Sequence, residues 1–306
     1  MAGRRGWTAR TLQDRREGLR RVVWWLENEE QVPATLDALN KDRIRSFLAY
    51  LREPHPEGRF GSGKPTARRA ARPYTLLHDD RNLHAFGEFC LREELLTASP
   101  LQNLKPPRVP KDQIQPFSPD QVQALLDAAR RSQQPERNRA LLWVLLDSGL
   151  RISELCSLQI ADVEGETGEI TITGKGGKRR RVYLGREARV RRRYLEAERR
   201  AADRNEPLFL AEGGTRTGEA MTRSGITQLI RKLGRAAGVQ GVRCSPHTFR
   251  HTFAIEFLRG GGNVYEMQVL MGHESLEILR RYVLITQADA EAAHRRASPG
   301  DRLKLR

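Results

Sequence analysis

The sequence predicts a mainly α protein with a small antiparallel β-sheet, divided into two domains. Apolar residues recur at helical spacing along most of the chain, and the spacing changes to strict alternation in one short stretch, Glu169 to Leu184. A segment holding Pro100, Pro106, Pro107, Pro110, Pro116 and Pro119 interrupts the helical pattern between two stretches that each have apolar faces to bury. The 306 residues suffice for two cores, since domains usually run ~100 to 200 residues.

Taken in order, Thr8 to Glu29 has Leu12, Leu19, Val22, Val23 and Leu26 at helical spacing, and Asn40 to Leu51 has Ile44, Phe47, Leu48 and Leu51 on one face. A long basic loop rich in Gly, Pro and Arg runs from Glu53 to Pro73, and a further helix from Tyr74 to about Leu96 carries Leu76, Leu83, Phe86, Phe89 and Cys90. Residues 1–99 thus read as a helical bundle, 100–117 as a proline-rich linker with Lys105, Arg108 and Lys111, 118–298 as a second domain and 299–306 as a basic tail. The second domain opens with Ser118-Pro119-Asp120-Gln121, a cap residue, a proline at the first helical position and a glutamine that completes a capping box. Helices follow near 119–131, 136–147 and 151–158. In the alternating stretch Ile170 and Ile172, then Val182 and Leu184, flank the glycine turn 174–177, which is a hairpin signature. Helices resume near 186–202, 222–237, 246–260, 263–271 and 275–285.

A net charge of +16 makes a polyanion the default partner. Before residue 115 there are 21 Lys and Arg against 15 Asp and Glu, and after it 33 against 23, so both halves carry the excess. A solvated basic surface, as on a ribosome-associated or membrane-surface protein, is the alternative reading of charge alone. The apolar runs fall far short of the ~18 residues a membrane span needs, and Met1 to Arg10 has no apolar leader core. Cys90, Cys156 and Cys244 are widely spaced and odd in number, which argues against a disulfide framework or a CxxC metal site and fits a reducing cytoplasm.

The chemistry-bearing residues cluster late in the chain. Ser245-Pro246 caps a helix whose first turn holds His247 and Arg250 on one face, where free N–H groups and the positive helix end form a phosphate seat; a surface helix with an unrelated His and Arg fits the same residues. His247 and His251 have the i, i+4 spacing of a zinc hydrolase helix, but Thr248 stands where the general-base Glu belongs, and no metal or other cofactor is expected. Gly272 is a helix-stop residue that leaves His273 in a connection, and Tyr282 follows nine residues later beside Arg280 and Arg281. Upstream, Arg151 and Glu154 share a helix face at i, i+3, as a structural ion pair would or as a carboxylate holding a functional guanidinium would. Lys175 lies in the hairpin turn of a chain with 46 Arg and only 8 Lys, and lysine, unlike arginine, can release a proton near neutral pH. Lys178, Arg179, Arg180 and Arg181 read as a phosphate-gripping strand, and the missing Ser/Thr after Lys175 excludes a P-loop.

The runs R-I-S-E-L at Arg151, G-K-G at Lys175, H-T-F-R at His247, M-G-H at His273 and the tyrosine Tyr282 resemble, in order and spacing, the tyrosine recombinase (phage integrase) family over roughly Ser118 to Leu284. The helical first domain, the proline linker and the P-F-S-P-D-Q opening resemble the family's DNA-clasping, core-binding half, with no additional N-terminal arm-binding module expected. The resemblance implies a catalytic domain that breaks and rejoins double-stranded DNA. Tyr282 would form a 3′-phosphotyrosyl link; Arg151, Arg250 and His273 would hold the nonbridging oxygens; Lys175 would protonate the leaving 5′-oxygen. His247 would assist proton transfer from the tyrosine, and Glu154 would position the set. The expected enzyme is a site-specific recombinase, metal- and ATP-independent, acting as a homo-tetramer on two DNA sites, cytoplasmic and nucleoid-associated. A type IB topoisomerase and a DNA-binding protein without catalysis are the competing classes.

Overall fold

The computed structural model describes residues 9–109, 115–164, 167–174, 177, 179–185, 191–199, 203–212 and 214–272, with Tyr282, His294, Ser298 and Gly300 as single residues. Two compact units divide the chain, 1–112 and 113–306. The expected helices of 186–202 and 275–285 fall partly or almost wholly outside the described residues.

The first unit is a helical bundle of α1 (Ala9–Asn28), α2 (Lys41–Arg52) and α3 (Pro73–Arg92). Asn40 caps α2 through its side chain, which accepts from Arg43 N–H, and Pro73 opens α3 where its missing N–H costs nothing. Val22, Trp25 and Leu26 of α1 meet Ile44, Phe47, Leu48 and Leu51 of α2 and Leu76 and Leu83 of α3 in one core. Adjacent helix positions point about 100° apart, and Val23 falls at the edge of the α1 face that buries Val22, Trp25 and Leu26. It is 41% exposed and, with Leu12, Leu19 and Trp24, borders a cavity of about 670 Å³ against Ala85 and Phe86.

The basic loop between α2 and α3 folds back onto its own unit. Phe60 packs edge-on against Trp24 at 5.6 Å and lies 5.8 Å from Tyr50, while main-chain bonds from His55 to Arg68 and from Arg59 to Ala67 zip the loop into a closed turn. Phe60 holds a left-handed φ of 59° to do so, an uncommon conformation for a bulky residue that three aromatic neighbours offset. Leu101, in the segment read as linker, is buried in this core, and Phe117, at that segment's other end, is buried in the core of the second unit.

The second unit comprises α4 (Pro119–Arg130), α5 (Pro135–Ser148), α6 (Ile152–Ser157), β1 (Glu169–Thr173), β2 (Arg179–Tyr183), α7 (Arg191–Glu198), α8 (Arg223–Ala236), α9 (Pro246–Arg259) and α10 (Val264–Met271). The capping box forms as its sequence predicts: Ser118 Oγ accepts from Gln121 N–H at 3.2 Å and Gln121 Oε1 accepts from Ser118 N–H at 3.0 Å. Helix α5 runs through the centre, with Ala140, Leu141, Leu142, Val144 and Leu145 all buried and α4, α7, α9 and β2 packed around it. A helix apolar on most sides is stable only in such a place. Strands β1 and β2 pair antiparallel in the register Ile170 to Val182 and Ile172 to Arg180, so both isoleucines and Val182 enter the core while Arg179 and Arg181 face water. The architecture is therefore mainly α with a two-stranded antiparallel sheet.

Candidate active site

The site assembles at the C-terminal end of α10. Gly272 ends that helix in a left-handed conformation, φ 63°, which glycine adopts without the penalty of a Cβ. The last carbonyls of an α-helix have no partner within it and carry its negative dipole end. Here three successive ones are each met by a different arginine: Leu270 O accepts from Arg180 Nε at 2.9 Å, Met271 O from Arg250 Nη2 at 2.8 Å, and Gly272 O from Arg151 Nη2 at 2.6 Å. Residues from the start of α6, from β2 and from α9 are thereby fixed on one helix end, directly before His273 in sequence.

Glu154 ties two of these arginines, Arg151 and Arg180, to one another. Its carboxylate accepts from Arg151 N–H at 2.8 Å and Arg151 Nη1 at 3.0 Å, and takes both terminal nitrogens of Arg180 in a bidentate pair at 2.9 and 2.8 Å. Burial by itself would raise the Glu154 carboxyl above its usual range. The hydrogen bonds from Arg180 and from the Arg151 backbone, with the charge of Arg180, outweigh that and hold it below. Arg151 remains 39% exposed at its side chain and can meet a solvent-borne anion. Arg250 is buried, donating also to Gly149 O; burial and then the like charge of Arg151 bring it down to about 10, which leaves it a cation at neutral pH. Gly149 can present that carbonyl because it ends α5 at φ 60°, and a Cβ there would strike the ring of Phe253 at 2.3 Å.

His247 stands in the first turn of α9, on a helix start capped by Ser245 Oγ, which accepts from Thr248 N–H at 3.3 Å. Desolvation, then the charges of Arg250 and Arg243, hold its imidazole below the usual histidine value. Tyr282 is buried, 2% exposed, and its phenol oxygen lies 2.6 Å from Nδ1 of His251. Of the residues predicted for the site, the structure thus brings together Arg151, Glu154, Arg250 and Tyr282, on elements that also carry His247. Lys175, Lys178 and His273 lie outside the described residues.

Two assignments change. Arg180 was expected to grip phosphate beside Arg179 and Arg181, yet its side chain is 11% exposed and committed to Glu154 and Leu270. The reason is the strand period of two: Arg180 shares its face with Val182, toward the interior, while Arg179 and Arg181 point out. His251, set aside with the metal motif, proves to be the imidazole on the tyrosine. Its i, i+4 relation to His247 was the available signal, since it places both on one helix face.

The model of the phage integrase family matches residues 115–288. Among similar proteins are the tyrosine recombinase XerD of Oceanobacillus iheyensis, 28% identical over 289 residues, 93% of this chain and 90% of the relative, and the tyrosine recombinase XerD of Xanthomonas campestris pv. campestris, 33% identical over 234 residues, 71% and 69%. Among solved structures, the integrase of transposon Tn1549 in complex with transposon right end DNA shares the fold at a TM-score of 0.69, with 19% identity, covering 96% of this chain and 95% of that one. The chain belongs to the phage integrase family.

Proposed function

We propose that this chain is a site-specific tyrosine recombinase that cleaves and rejoins double-stranded DNA through a 3′-phosphotyrosyl intermediate, with Tyr282 as nucleophile. The observation that supports it most is the convergence of Arg151 and Arg250 on one helix end, with Arg250 in electrostatic contact with Tyr282. Two guanidiniums held on a rigid scaffold suit the developing charge of a pentavalent phosphorane. A free phenol has a pKa of ~10, so phenolate at pH 7 costs ~4 kcal/mol, and neighbouring cations with a proton acceptor offset it. In this reading His273 joins Arg151 and Arg250 on the nonbridging oxygens, Lys175 protonates the leaving 5′-oxygen, and His247 assists proton transfer. One phosphoester is exchanged for another, so the reaction requires neither a nucleotide nor a metal ion. The first unit clasps the duplex with Arg179 and Arg181 as further phosphate contacts, and a homo-tetramer on two DNA sites exchanges the strands.

The test begins with a duplex pool of randomised sequence, from which the wild-type protein captures its site as a detergent-resistant covalent adduct. Tyr282→Phe should retain binding to the captured duplex and yield no adduct. An undiminished adduct yield from that variant overturns the assignment of Tyr282.

A further inference from the structure

We infer that His251 is a catalytic residue of this site, the group that receives the phenolic proton of Tyr282 as the tyrosine attacks. The inference rests on the reading of Tyr282 as nucleophile. Three observations place it there. The Tyr282 side chain is almost wholly removed from solvent, at 2% exposure, so a protein group rather than bulk water stands beside its phenol. Nδ1 of His251 lies 2.6 Å from the phenol oxygen, the length of a strong hydrogen bond, with the rings 5.7 Å apart and tilted by 46°. Arg250, the preceding residue on α9, interacts electrostatically with Tyr282, and a cation there favours the phenolate that proton loss creates.

The proton balance closes. The transfer requires the tautomer with the proton on Nε2, in which Nδ1 accepts from the phenol. As the bond from the tyrosine oxygen to phosphorus forms and the bond from phosphorus to the 5′-oxygen breaks, the phenolic proton moves to Nδ1 and Lys175 gives a proton to the leaving oxygen. Rejoining runs these transfers backward, and the imidazolium of His251 returns the proton to the departing tyrosine. His247, one turn earlier, assists this transfer from a neighbouring position rather than receiving the proton itself.

The experiment uses the full chain and the captured duplex, nicked so that cleavage is irreversible, and compares His251→Ala with His251→Asn. Asparagine keeps an acceptor oxygen near the place of Nδ1 and can orient the phenol, but it cannot hold the proton. Both variants should bind the duplex like wild type and form adduct about 100-fold or more slowly, the scale of general acid–base catalysis. A sulfur in place of the bridging 5′-oxygen, which needs no protonation to leave, should rescue Lys175→Ala and neither His251 variant. Recovery of the asparagine variant to within about threefold of wild type, an unchanged rate in the alanine variant, or rescue of either by sulfur overturns the inference. Adduct formation by Tyr282→Phe in the same assay would instead remove the nucleophile reading beneath it.

Discussion

Each unit buries an acidic side chain against an arginine, and the two are treated differently. Glu154 in the second unit accepts four hydrogen bonds from two arginines and a backbone N–H, and its carboxyl lies below the ordinary value in spite of burial. Asp79 in α3 of the first unit is 3% exposed and pairs through Oδ1 with Arg21, but its Oδ2 has no hydrogen-bond partner among the described residues. Burial raises its carboxyl, and the charges of Arg21, His78 and Arg59 offset this only in part. What separates the two is the count of hydrogen bonds to the charged form rather than the presence of an opposite charge. A desolvated ion gains from its partner only when its remaining lone pairs are also satisfied.

The largest expected effect is at Glu154. Glu154→Gln removes the charge that two arginines share and should cost about 3 kcal/mol, the scale for breaking a buried pair from one side, with adduct formation reduced at least about 100-fold because Arg151 loses its anchor. The folded carboxyl is depressed, so its contribution is complete above the unfolded value of ~4.3 and is lost as pH falls through the lower folded value. The deficit of the variant in hydrogen-exchange protection of α6 and β2 should therefore shrink as the pH is lowered through that range. A deficit no larger than that of an Asp79 variant would break the comparison.

Asp79→Asn should change protection of α1 and α3 by about 1 kcal/mol or less at neutral pH, because Arg21 is 30% exposed at its side chain and stays hydrated when its partner is neutralised, and because burial already disfavours the charged carboxylate. Here the sign is opposite. A raised folded value means that the stabilising contribution is complete below the unfolded value of ~3.9 and is lost as pH rises through the folded one. The asparagine variant should gain on wild type between pH 4 and pH 7, measured by exchange in the same peptides; a constant difference would show that Asp79 is better satisfied than its geometry implies.

The smallest effect is expected at Arg181, which is 68% exposed and pairs with Glu169 at 3.2 Å. Arg181→Ala should alter stability by about 0.5 kcal/mol or less, as exposed pairs do, while lowering the slope of log affinity for DNA against log salt by about one. An unaltered salt slope would remove Arg181 from the DNA surface. Its neighbour Arg180 sharpens the contrast, because one residue of shift along a strand separates a solvent-facing cation from one turned inward to Glu154.

The sequence by itself determined the local structure. The described helices of both units, the Ser118 capping box, the hairpin of β1 and β2 and the helix start at Ser245 follow from periodicity, caps and turn residues within a few positions of each other, which is the range over which such signals act. Through the order of motifs that resemble the tyrosine recombinase family it also marked Arg151, Glu154, Arg250 and Tyr282. Only the tertiary structure decided the partners: that Arg180 turns inward to Glu154, that Phe60 draws the basic loop onto the first unit, and that His251 holds the phenol of Tyr282, thirty-one residues away. These contacts join elements distant in sequence, and their geometry depends on how α5, α9 and α10 pack. The C-terminal carbonyls of α10 illustrate the division. Gly272 announces where that helix stops, but the fact that three arginines from three other elements converge there is a property of the folded core, because unpaired carbonyls and desolvated cations must satisfy one another once water is gone.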